Sequence, residues 1–132
     1  MIVVLAAVVE RDGRFLLSRR LEGTHLANMW EFPGGKCEPG ETHEECLLRE
    51  LREELDVDAV VGPEVLCTDH AYADRAVRLH FRACTIEGNP RPVLGQELRW
   101  ASRDELGSLE FPEADRALID LLRRSTVSRT ET

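Results

Sequence analysis

GGKCEPGETHEECLLRELREELDV, residues 34–57, is the stretch from which the rest of the chain is read. Two glycines open it, Pro39 and Gly40 make a turn, and a glutamate-rich helix closes it. Thr42 with Glu45 three residues on forms a capping box, which starts the helix there. At 100° per residue, Leu47, Leu48, Leu51 and Leu55 share one face, and that face must pack against something apolar. Arg49, Glu50 and Glu53 point the other way, with Glu54 at the border. Glu50, Glu53 and Glu54 stand at i, i+3 and i+4, so their carboxylates are neighbours that repel unless a positive charge sits between them. Clustered oxygen donors of this kind suit a hard cation such as Mg²⁺ or Mn²⁺. Asp56, just past the last helical leucine, falls at a site that favours a left-handed backbone.

Before this stretch, residues 2–9 are continuously apolar and rich in valine, the pattern of a central strand covered on both faces. Arg11-Asp12-Gly13 turns the chain into a second strand over residues 14–20. Residues 21–30 have no period and read as a loop, and WEFPGG supplies a short strand ended by Pro33. Beyond the helix, a strand interrupted at Gly62-Pro63 leads through a turn in HAYADRA to residues 77–86. These alternate, with Val77, Leu79, Phe81 and Ala83 inward and Arg78, His80 and Arg82 outward. A last short strand at 97–101 precedes a brief helix capped by Ser102 and Glu105. Pro112 then opens an amphipathic helix with Ala114, Ala117, Leu118, Leu121 and Leu122 on its apolar face and Asp115 half inside at the flank. Two amphipathic helices and a strand-rich remainder require a sheet between helical layers, an α/β/α sandwich.

With 132 residues, 42% of them apolar, the chain has room for one core: a single domain over 1–124 and a polar, disordered tail over 125–132. A formal charge of −8 argues against binding nucleic acid through bulk electrostatics. Cys37, Cys46, Cys67 and Cys84 contain no CxxC pair, so free thiols in a reducing cytoplasm are expected, with neither disulfide nor zinc site. Residues 1–9 lack a basic n-region and read as a strand, not a signal peptide, and no stretch is long enough to cross a bilayer. Oligomeric state, monomer or homodimer, stays open.

Gly35, Glu41, the run Arg49-Glu50-Leu51-Arg52-Glu53-Glu54 and Val57, at their observed spacings, resemble the Nudix box of the Nudix hydrolases, apart from Asp56 where that family has glycine. The resemblance extends to FPGGK before the box, the strand at Trp100 and the C-terminal helix. It implies the Nudix α/β/α sandwich around a mixed sheet. It also implies metal-dependent hydrolysis of compounds linked to a nucleoside diphosphate. On the family pattern Glu53 and Glu54 are metal ligands, and Glu50 is a ligand or the base that activates water. Glu41 is a further acid near the metal, the Gly35 carbonyl a backbone ligand, and Arg49 the residue that orients the carboxylates. Glu97 resembles the acid the family supplies from outside the box.

HLANMWEFPGGK, residues 25–36, is similar to the MutT branch, which releases pyrophosphate from nucleoside triphosphates. In that branch the residues matching Arg20, His25 and Phe32 lie near the nucleotide. FPEAD, residues 111–115, matches the base-reading segment, with Asp115 as in the CTP and 5-methyl-dCTP enzymes where the 8-oxo-guanine sanitiser has Asn. An ionised carboxylate only accepts hydrogen bonds and so suits the cytosine amino group. The implied activity is nucleotide-pool sanitisation of a cytosine-type triphosphate, with 8-oxo-dGTP close behind. The alternatives are an ADP-ribose hydrolase, a dinucleoside polyphosphate hydrolase that would use Tyr72, or a non-catalytic nucleotide-binding module. The last is disfavoured because Glu41, Glu50, Glu53 and Glu54 are all present.

Overall fold

The computed structural model describes residues 1–24 and 27–124. Strands β1 (Ile2–Arg11) and β2 (Arg14–Arg19) form the expected hairpin, turned at Asp12 and Gly13, both with positive φ. That two-residue turn has the twist adjacent antiparallel strands need. β3 (Trp30–Glu31) pairs with β2, and β4 (Gly34–Lys36), which sequence pattern did not separate from the box, pairs antiparallel with β1. β5 (Ala59–Ala71) and β6 (Ala76–Ile86) form a long hairpin, and β1 lies parallel to β6 from Ile2↔Val77 to Val9↔Cys84. β7 (Leu98–Ser102) adds to the free side of β2. The sheet is therefore mixed, as expected.

Helix α1 (His43–Leu55) covers one face of it. There Leu5, Ala7 and Val9 of β1 and Leu16 of β2 pack against Cys46, Leu47, Leu51 and Leu55. On the other face Ala6, Val8, Phe15, Leu17 and Phe81 pack with Leu106 of α2 (Arg103–Leu106) and Leu118, Ile119 and Leu122 of α3 (Arg116–Arg124). β1 thus buries alternate side chains in two cores, which explains its unbroken apolar sequence. Both capping boxes form, at Thr42 with Glu45 and at Ser102 with Glu105. Asp56 has φ 53° and ψ 47°, the left-handed cap, and its N–H donates to the Arg52 carbonyl.

Four expectations change. Cys37 and Cys46 are joined in a disulfide, their Cα atoms 5.2 Å apart, and only Cys67 and Cys84 remain free. The Pro39-Gly40 turn folds the loop back on itself, a proximity that a search for CxxC spacing misses. His80 and Arg82 do not face solvent but are half-buried on the α1 side, because β6 is covered on both faces. Pro112 caps a 3₁₀ turn (Glu113–Asp115) before α3, which shifts the apolar stripe: Ala117 is exposed and Ile119 buried. Asp115 is fully buried instead of half inside. The expected tail over 125–132 lies outside the described residues.

Candidate active site

The loop before α1 can approach the helix because it starts with two glycines. A Cβ on Gly34 would run into the Leu5 carbonyl oxygen, and one on Gly35 would land on the Glu50 carboxylate. Gly34 therefore requires glycine, whereas a side chain at position 35 would have to displace the Glu50 carboxylate. This close approach brings the Gly35 backbone against the glutamate row of α1.

Arg49 holds that row together. Its Nε and Nη2 donate to the two Glu41 oxygens at 2.6 and 2.9 Å, a bidentate pair across the loop. Nη1 donates to Glu50 at 3.3 Å and Glu53 at 3.1 Å, and Nη2 to the Lys36 carbonyl at 3.2 Å. Hydrogen bonds from Arg49 and from the Glu38 backbone hold the Glu41 carboxyl down at about 2. Glu54 is the opposite case. Burial pushes its carboxyl well up, and the adjoining Glu50, with the charges of Glu31 and Glu53, pushes it further. One guanidinium does not balance Glu41, Glu50, Glu53 and Glu54. An all-oxygen donor set with an excess of negative charge fits a divalent hard cation. The residues that could hold one are Glu50, Glu53, Glu54 and Gly35, with Glu41 beside them.

A cleft of about 440 Å³ runs from Gly34, Gly35 and Glu54 across β1 and β6 to Asp115, a volume typical of small-molecule sites. Arg20, Glu31, Phe32 and Tyr72 also line it. Arg20 Nη1 donates to Glu31 at 2.6 Å. Burial raises the Glu31 carboxyl, and Arg20 opposes the rise. Asp115, 6% exposed, is pushed up to about 7, first by burial and then by Glu31, with Arg20 again opposing. Phe32 is both wall and core, stacked on Phe111 at 5.8 Å and edge-on to Phe81 at 6.1 Å.

The cleft therefore joins Arg20, Phe32, Gly35, Glu54 and Asp115 from the sequence reading. Glu97 is not brought in. It pairs with Arg19 at 3.3 Å, while its neighbour Gln96 takes the cleft side and donates to the Glu54 carbonyl at 3.0 Å. His25 lies outside the described residues. Glu31 and Gln96 were missed. Alternation through Trp30-Glu31-Phe32 would have flagged Glu31, whereas no local pattern marks Gln96.

A profile described as the NUDIX domain matches residues 4–121. The chain belongs to the Nudix family. It is 40% identical over 115 residues to the CTP pyrophosphohydrolase of Escherichia coli K12, covering 86% of this chain and 84% of that protein. It is 32% identical over 123 residues to the 8-oxo-dGTP diphosphatase of the same strain, covering 92% and 95% of the two. The solution structure of the E. coli ORF135 protein superposes with a TM-score of 0.86 at 36% identity, covering 98% of this chain and 93% of that one.

Proposed function

We propose that the protein hydrolyses a (deoxy)nucleoside triphosphate to the monophosphate and pyrophosphate with a divalent cation, Mg²⁺ or Mn²⁺, and so sanitises the nucleotide pool. The carrying observation is that Arg49 clamps Glu41, Glu50 and Glu53 beside Glu54, and that Glu54 lines one end of a cleft whose other end is Asp115. Glu50, Glu53, Glu54 and the Gly35 carbonyl would hold the cation, which when bound would neutralise the phosphoanhydride and acidify water. Arg49 keeps Glu41 ionised and aims Glu50 through a hydrogen bond. Glu50 accepts the proton of the attacking water as the new P–O bond forms, and pyrophosphate leaves with the electrons of the broken anhydride. Arg20 and Phe32 flank the nucleoside, as His25 does on the family pattern.

Asp115 reads the base. Its carboxyl, at about 7, is present in both forms near neutrality. The ionised form accepts from the cytosine amino group, and the protonated form can also donate to a lactam edge such as that of 8-oxo-guanine. Cytosine-type triphosphates are the preferred class above neutrality, and the relatives named for CTP and for 8-oxo-dGTP support both halves of this reading. The partner is a free nucleotide in the cytoplasm, with neither nucleic acid nor membrane required. No described helix is long and apolar enough to cross a membrane.

The test is a panel of canonical, methylated and oxidised nucleoside triphosphates, scored by kcat/KM and by inorganic product. Metal-dependent release of pyrophosphate is expected. Orthophosphate as the only inorganic product, or activity that survives excess EDTA, would overturn the proposal.

A further inference from the structure

On the α1 face of the β5–β6 hairpin, away from the glutamates of the box, Glu64, Cys67 and His80 each offer one donor atom, all within 4.8 Å of one another. We propose that these three side chains, joined by His43, form a second metal site that takes a borderline first-row cation, Zn²⁺ above all.

The backbone makes this cluster by an irregularity. Glu64 and Cys67 are three residues apart, so in a regular strand they would point to opposite faces. The pairing shifts by one residue between Val61 and Glu64 and again between Glu64 and Leu66. Such bulges re-aim side chains and concentrate beside sites. Here the bulge turns Glu64 to the face of Cys67, which pairs directly across the ladder with His80. The His80 Nδ1 lies 2.5 Å from Glu64 Oε1, so two of the donors already meet. The fourth residue arrives from α1: the His43 ring is centred 4.4 Å from that of His80.

The donor set decides the ion. Thiolate and imidazole exclude Mg²⁺ as the preferred occupant and favour Zn²⁺ in four-coordinate form. Tetrahedral bonds of about 2.0–2.3 Å place ligands roughly 3.3–3.8 Å apart, so the His80–Glu64 pair at 2.5 Å must open by about 1 Å and the wider separations, at most 4.8 Å, must close by about as much. His43, Glu64 and Cys67 are exposed and His80 half-buried, so the side chains can rotate that far. Burial and the Glu64 carboxylate raise the Cys67 thiol, so the ion gains this ligand by displacing a proton. A cation beside a helix N-terminus is ordinarily unfavourable, but the thiolate and carboxylate cancel the charge of Zn²⁺. Bound there, the ion would fasten the first residue of α1 to the hairpin.

Titration of the full chain with Co²⁺ tests the proposal without reference to turnover. Thiolate-to-cobalt charge transfer gives near-ultraviolet absorption that an all-carboxylate site does not. The expected result is saturation at one equivalent, displacement by Zn²⁺, loss in Cys67→Ser, and retention in Glu53→Gln. Affinity should fall about tenfold or more in His80→Gln and in His43→Gln. Absence of the band at saturating Co²⁺, or its survival in Cys67→Ser, would overturn the site. Unchanged affinity in His43→Gln would remove His43 from the shell and with it the tie to α1. Circular dichroism of each variant separates a lost ligand from a lost fold.

Discussion

At the box end of the cleft the charged groups are neighbours in sequence, and at the other end the polar groups come from four different parts of the chain. Glu50, Glu53 and Glu54 ride on one helix, and Arg49 beside them supplies their counter-charge. Arg20, Glu31, Tyr72 and Asp115 meet only because β2, β3, the β5–β6 hairpin and the turn before α3 converge. The electrostatics differ accordingly. Arg49 keeps Glu41 ionised at every physiological pH, whereas buried Asp115, beside Glu31, titrates near neutrality. Chemistry common to all substrates can be built from a contiguous motif. Discrimination between substrates is left to residues the fold assembles.

The sharpest way to break this contrast is to disable the box end. Glu53→Gln keeps the side-chain shape but removes a ligand charge, and should lower kcat by about 10²-fold or more for every nucleotide, with the fold intact. Near-full activity, or a loss confined to one base, would refute the division of labour.

Reduction of the Cys37–Cys46 disulfide, which closes a loop of sequence separation 9, should cost about 2–3 kcal/mol of stability and roughly 10 °C in Tm. The denatured chain should titrate two thiols before reduction and four after. Four thiols without reductant would show that the disulfide does not form in solution.

Asp115→Asn acts at the far end. It should cost cytosine-type substrates about 1–3 kcal/mol in kcat/KM while sparing or improving guanine-type ones. In the unmodified protein, cytosine-type kcat/KM should rise as pH passes through about 7 while that for lactam-type bases falls. Stability carries the same titration. The folded-state carboxyl is raised from 3.8 to about 7, so its stabilising share is complete below 3.8 and is lost as pH rises to about 7. The Tm advantage of Asp115→Asn over the unmodified protein should therefore grow between those values and level off above them. A pH-independent difference would mean that Asp115 does not titrate in this range.

The smallest effect belongs to Asp56. Asp56→Gly relieves a left-handed non-glycine residue and should stabilise by up to about 1 kcal/mol with kcat unchanged. Loss of the exposed pair between Arg91 and Asp56 takes back little of this. A lower Tm would refute the capping account.

These regions were legible to different degrees. Thr42, Glu45 and Asp56 could be read because caps are set by residues three or four positions apart. The sandwich could be read because β1 is apolar on both faces and α1 on one. The burial of Asp115 could not, since a single 3₁₀ turn after Pro112 rotates everything that follows. Nor could the disulfide, which depends on how one loop folds back. Gly62-Pro63 was visible as an interruption of the strand, but what the bulge does to Glu64 emerges only with the register of β6.

The parallel pairing of β1 with β6 has a temporal consequence. Ile2 pairs with Val77, 75 residues later in the chain. At roughly 5–20 residues per second, a ribosome takes roughly 4–15 s to supply that partner. Through this interval the valine-rich strand has β2 at its tip, the three residues of β4 and α1 over one face. Its other face, which Phe81, Leu106 and Leu118 complete, lies open to other nascent chains. Yield in a cell should therefore follow elongation rate and holdase supply more closely than the stability of the finished fold would suggest.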